Sequence, residues 1–147
     1  MQQENAFEDF TRDISYRIFR CPEGIALTAT MKDVFHDIFI EIIVAADNLR
    51  ILSARVNFFK QPTDFCQEID KAMSLLVGTV IGKGLNKRLI EIFGGGKGCG
   101  NIRTMLMGLL PLALNAKAAS GVKDQNELLE KISKELKGSC IGYPSNY

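Results

Sequence analysis

Val34-Phe35-His36-Asp37-Ile38-Phe39-Ile40-Glu41-Ile42-Ile43-Val44 is the stretch whose periodicity decides the fold. Ile38, Ile40 and Ile42 fall on one side of a two-residue repeat, and Phe39, Glu41 and Ile43 on the other. Side chains of a strand point alternately to opposite faces, so Val34 to Val44 reads as a strand with one fully apolar face. Downstream, Ala45-Ala46-Asp47-Asn48 supplies a turn, and Ile51 to Phe59, rich in β-branched and aromatic residues, reads as the returning strand. Upstream, Ile25, Leu27, Ala29 and Met31 alternate with Thr28 and Thr30. Before the turn Cys21-Pro22-Glu23-Gly24, Ile14, Tyr16 and Ile18 lie on one side, with Arg17 and Arg20 assigned to the other. The first half is thus a meander of about four antiparallel strands.

After Pro62 the repeat lengthens. Phe65, Ile69, Ala72, Met73 and Leu76 recur at helical spacing, with Asp64 and Gln67 as a capping box and Gly78 as the stop. A short helix carrying Leu85, Leu89, Ile92 and Phe93 runs into Gly94. A third begins near Asn101, and Pro111 inside it predicts a kink or break. The last opens on Asp124 and Glu127 and is expected to bury Leu128, Leu129, Ile132 and Leu136. Strands followed by about four helices describe an α+β domain, an antiparallel sheet with helices packed on one face. One domain is expected over 1–147, with loosely ordered ends at 1–10 and 138–147.

The bulk numbers exclude several functions. Among 147 residues, 18 Lys and Arg oppose 17 Asp and Glu, a net charge of +1 that carries no nucleic-acid footprint. No uncharged apolar run reaches the roughly 20 residues of a membrane span. The polar start Met1-Gln2-Gln3-Glu4-Asn5 lacks a signal-peptide core, and a cytoplasmic location is expected. In that reducing setting Cys21, Cys66, Cys99 and Cys140 read as thiols or ligands, and no CxxC pair marks a zinc ribbon.

Chemistry concentrates around Gly94-Gly95-Gly96-Lys97-Gly98-Cys99-Gly100-Asn101. The loop lacks both the P-loop and the G-x-G-x-x-G spacing and follows a helix where those motifs follow a strand, so no nucleotide is expected. A helix-breaking hinge with positive-φ glycines is the plainer reading. Cys66 falls in a first helical turn and Cys99 just before a helix, where the positive dipole end favours a thiolate, with Lys97 adding to the effect. His36, the single histidine, stands at a strand head beside Asp37. Thiolates and imidazole hold zinc and iron–sulfur clusters. Each cysteine alone reads equally as a small buried hydrophobe.

The segments Phe35-His36-Asp37 to Phe58, Pro62 to Cys66, Leu76-Val77-Gly78, the GGxxGC loop at Gly94 to Cys99, and Cys140 resemble a bacterial family catalogued only as a domain of unknown function. That family often carries a histidine two residues after the loop cysteine, where this chain has Asn101. More distantly, the element order is similar to iron–sulfur cluster scaffolds of the IscU and NifU N-terminal type. Their central hairpin is matched by Phe39 to Val44 and Asp47 to Phe58. The resemblance implies an IscU-like fold with His36 at the first ligand position, beside Asp37, Cys66 at the second and Cys99 at the last. The first scaffold cysteine is a histidine here, the histidine before the last cysteine is Gly98, and Cys140 has no counterpart.

The leading expectation is a non-enzymatic zinc or iron–sulfur binding protein. Its ligands are drawn from His36, Cys66 and Cys99, with Cys140 or Asp37 completing the set and another protein as partner. A second is a thiol redox or sensor protein using Cys99, with Cys66 or Cys140 resolving. A third is an interaction module without site chemistry. A single histidine gives no Ser-His-Asp arrangement.

Overall fold

The alternation centred on Ile40 becomes the middle of a four-stranded antiparallel sheet in a computed structural model that describes residues 5–146. β1 (Asp13–Cys21), β2 (Gly24–Lys32), β3 (Asp37–Val44) and β4 (Ile51–Lys60) lie side by side in chain order. The register lines up Tyr16, Ala29, Ile40 and Val56 in one row across the sheet. This row and the rows two residues away form the face turned to the helices, where Leu27, Met31, Ile38, Ile42 and Val44 are buried. The adjacent row, Arg17, Thr28, Glu41 and Arg55, belongs to the opposite face.

Five α-helices follow among the described residues: α1 (Asp70–Ser74), α2 (Leu85–Phe93), α3 (Gly100–Leu109), α4 (Leu112–Ala118) and α5 (Gln125–Glu135). Leu89, Phe93, Ile102, Met105, Leu106 and Leu109 pack with the sheet side chains in one core. Burying each such side chain contributes about 1.5–3 kcal/mol, so α2 and α3 anchor the helical layer. The expected break at Pro111 occurs: α3 ends at Leu109 and Pro111 caps α4. Proline is tolerated there because the first-turn amides have no intrahelical partner. No helix among the described residues is long and apolar enough to cross a membrane.

Four local expectations need correction. β3 begins at Asp37, not Val34, because Asp33 Oδ1 accepts the backbone N–H groups of Phe35 and His36 at 2.8 Å each. That local turn outcompetes extension of the strand. Arg20 shares the face of Ile18 rather than the opposite one, and its guanidinium reaches Ser120 Oγ at 3.3 Å. The Asp64–Gln67 capping box does not form. Thr63 is the N-cap without a side-chain bond, and Asp64–Ile69 winds as a 3-10 helix before the five residues of α1. α5 is capped by Asp124, whose carboxylate accepts the Asn126 N–H at 2.9 Å, yet buries no residue. Leu129 is 60% exposed, and Leu128, Ile132 and Leu136 are only half-buried, since the element α5 mainly packs against is the short helix α4.

At the ends, Phe7 and Phe10 stack at 4.3 Å, and Gly138 N–H donates to Tyr143 at 2.6 Å. Residues 1–4 and 147, part of the ends expected to be loose, lie outside the described residues.

Candidate functional site

The glycine loop forms because α2 must stop and the chain must turn back within a few residues. Gly95 supplies the one positive φ of the loop, 66°. Gly98 is required for a different reason: a Cβ there would lie 1.8 Å from the Phe93 carbonyl oxygen, so only glycine lets the loop fold back onto the end of α2. The hinge reading with several positive-φ glycines thus reduces to one, Gly95, plus one close approach. A short 3-10 turn, Gly95–Lys97, leads to Cys99, the extended N-cap of α3, whose carbonyl accepts the Arg103 N–H at 3.0 Å.

Beside the loop a cleft of about 1020 Å³ opens between the Thr63 to Leu75 segment and α2. Cys66 lines it from the 3-10 helix and Cys99 from the loop. Both thiols are free and half-buried; Cys99 packs against the core, and Cys66 Sγ lies 3.7 Å from Thr63 Oγ1. Glu68, Lys71, Arg88, Glu91 and Lys97 give the walls mixed charge, with Arg88 and Glu91 paired at 3.7 Å. Exposed Phe65 and Leu75 add apolar surface. Of the loop residues, Gly94, Gly96, Lys97, Gly98 and Cys99 line the cleft; Gly95, Gly100 and Asn101 are not among its lining residues.

His36 is engaged elsewhere, in a closed ring of four side chains. Its Nδ1 lies 2.9 Å from Asp33 Oδ1, and its Nε2 lies 3.3 Å from Asn101 Nδ2. Arg12 donates to Asp33 Oδ2 at 2.8 Å and to Asn101 Oδ1 at 3.0 Å. The proton positions follow from donor chemistry. A guanidinium only donates, so Asn101 turns its oxygen to Arg12 and its NH₂ to His36; Nε2 accepts, and Nδ1 carries the proton toward Asp33. The Asp33 side chain has no exposed area. Burial opposes its ionisation, but hydrogen bonds from Arg12, His36 and the Phe35 and His36 backbone amides prevail and bring its pKa from 3.8 down to about 2. Phe35, between these residues, lies 6.3 Å from Phe7 and 6.2 Å from Phe10 by ring centroids. The ring therefore ties the N-terminal arm, the β2–β3 turn and the first turn of α3 together.

The structure brings Cys66 and Cys99 to one cleft and does not bring His36 there. Asp37 sits on the β3 face away from the helices, in register with Lys32 and Lys60. Cys140 is exposed in the tail, within a tight bridge to Tyr143, and is not among the residues lining the cleft. Among the described residues no group of three or more His, Cys, Asp or Glu side chains is arranged to hold a metal ion. Sequence reasoning overlooked Arg12 and Asp33. Asp33, three residues before His36 in a turn, carried a local signal; Arg12, 89 residues from Asn101, carried none.

No curated protein and no solved structure matches the chain, so the resemblance to iron–sulfur scaffolds gains no support from either comparison. The family model described as a protein of unknown function (DUF2889) matches residues 7–114, from the N-terminal arm into α4. That span holds both cleft cysteines and the whole Arg12–Asp33–His36–Asn101 ring, and leaves α5 and Cys140 outside. Matched over most of its length, the chain belongs to the DUF2889 family.

Proposed function

We propose that the protein is a thiol redox or sensor protein in which Cys99 reacts and Cys66 resolves. The observation that carries this reading is that both cysteines are among the residues lining one cleft. The Cys99 thiolate attacks a hydroperoxide oxygen and breaks the O–O bond; Cys99 becomes a sulfenic acid, and the leaving oxygen takes a proton to depart as an alcohol or water. The Cys66 thiol then attacks the sulfenic sulfur, a disulfide forms and water leaves, completing a two-electron oxidation of the protein that two external thiols reverse as they become a disulfide themselves. A disulfide requires the Cα atoms within about 7 Å.

The test is stoichiometric hydroperoxide treatment followed by non-reducing peptide mapping. A Cys66–Cys99 crosslink is expected, with Cys66→Ser trapping a Cys99 sulfenic acid that dimedone labels. Oxidation that spares Cys99, or links it to neither Cys66 nor a trapping reagent, overturns the reading.

The zinc or iron–sulfur reading stands second, and the same pair of thiols favours it. His36 supports it poorly, because Asp33 and Asn101 occupy both ring nitrogens. The set would be Cys66 and Cys99 with further ligands from a protein partner. Elemental analysis and visible absorption of anaerobically purified protein test it. Metal lost in Cys66→Ala and Cys99→Ala supports it; metal unaffected by both sinks it.

A further inference from the structure

The cleft beside the glycine loop is far larger than a peroxide group needs. Its volume of about 1020 Å³ lies at the top of the range, roughly 300–1,000 Å³, in which clefts hold small organic ligands. Ile69, Ala72 and Ile92 give its lining a buried apolar component, and Phe65 and Leu75 add apolar surface that is 76% and 56% exposed. Covering such surface with an apolar body removes it from water and is favourable. The charges divide into engaged and free. Arg88 on α2 donates to the Leu75 carbonyl at 3.5 Å and lies 3.7 Å from Glu91, so it spans the two walls and is held there. Lys71, Lys97 and Glu68 have no ion-pair partner among the described residues, which leaves two cations against one carboxylate. Arg88 precedes Gly94 by six residues, so the Arg88–Leu75 contact lies about 9 Å along α2 from the start of the loop that carries Cys99.

We propose that the oxidant this cleft admits is an amphipathic organic hydroperoxide, an apolar chain that carries a carboxylate, in preference to hydrogen peroxide; the proposal rests on the thiol reading of Cys99 and Cys66. Hydrogen peroxide has no apolar group to cover Phe65, Leu75 or the Ile69, Ala72 and Ile92 side chains, and no charge for the free lysines, so nothing in the lining selects it. An apolar chain lying along α2 toward Leu75 displaces water from that surface, and its carboxylate meets the uncompensated charge of Lys71 and Lys97. The hydroperoxide group is then at the loop. The Cys99 thiolate bonds the terminal oxygen, the O–O bond breaks, and the alkoxide takes a proton from water and leaves as a hydroxy acid. The sulfur gives up two electrons to become the sulfenic acid, and the hydroperoxide accepts them.

Rates of Cys99 oxidation by three probes test it: hydrogen peroxide, linoleic acid hydroperoxide below its micelle concentration, and the methyl ester of that hydroperoxide. Each rate is divided by that of free cysteine with the same probe, which removes intrinsic reactivity. The acid is expected to exceed hydrogen peroxide at least about tenfold, as apolar contacts in a pocket allow. It should exceed its uncharged ester about two- to fivefold, the scale of an exposed ion pair. Phe65→Ser with Leu75→Ser should lower the ratio of ester to hydrogen peroxide, and Lys71→Gln with Lys97→Gln the ratio of acid to ester; circular dichroism confirms that both double variants fold. Cys99 oxidation at equal normalised rates by all three probes overturns the substrate class and leaves the thiol reading standing. An ester as fast as the acid, or ratios unmoved by both double variants, also overturns the proposal. Cys99 left unoxidised by every probe overturns the thiol reading, and the proposal with it.

Discussion

The Asn101 side chain bridges His36 Nε2, at 3.3 Å, and Arg12, at 3.0 Å, and so joins the β2–β3 turn to the first turn of α3 two residues after Cys99. A polar ring outside the cleft is thus anchored two residues from the loop cysteine. Replacing Asn101 by Leu leaves His36 Nε2 and an Arg12 N–H without their partner. The expected loss is about 1–3 kcal/mol, measured by urea denaturation. A variant within error of wild type would show that the ring contributes nothing net.

The carboxylate in that ring makes stability depend on acid. Its pKa of about 2 lies below the ordinary 3.8, so the folded state favours the ionised form. Its contribution is fully present above about pH 4 and is lost as the pH falls through about 2. Thermal melts from pH 6 down to 2 should show a steeper acid limb for wild type than for Asp33→Asn. Parallel limbs would remove Asp33 as the cause.

Within the glycine loop two neighbouring substitutions should differ sharply. Gly98→Ala drives a methyl into the Phe93 carbonyl, and a loss of about 1–3 kcal/mol or more is expected. Gly96→Ala meets nothing within 4 Å and should stay within about 0.5 kcal/mol. Melting temperatures of the two variants decide it; equal shifts would mean that the loop does not fold back on α2.

The helices divide the same way. Leu106 in α3 is fully buried, and Leu106→Ala should cost about 2–5 kcal/mol through lost packing and a residual cavity. Leu129 in α5 is largely exposed, and Leu129→Ala should change stability by less than about 0.5 kcal/mol. Chemical denaturation compares them directly, and a large loss at Leu129 would place a partner on α5.

Gly108 faces the Tyr16 ring, where an added Cβ would lie 2.2 Å from the phenolic oxygen. Gly108→Ala is expected to destabilise by about 1–3 kcal/mol, and Tyr16→Phe in the same chain to restore part of it. Additive effects in a double-mutant cycle would separate the two positions.

The amino-acid sequence by itself determined the sheet, its chain order and the break at Pro111, because period-two alternation and a missing proline N–H act locally. It marked Asp124 as a helix cap for the same reason. It misjudged α5, since the apolar stripe of Leu128, Leu129, Ile132 and Leu136 declares a face to bury without saying whether a partner lies opposite. It also placed His36 with the cysteines, because residue type states what a side chain can bind and not where it points. Tertiary structure alone decided that Cys66 and Cys99 share a cleft while His36 turns to Asn101. Those two meetings join segments 33 and 65 residues apart, and their geometry follows from packing of the helices on the sheet, which no local pattern encodes.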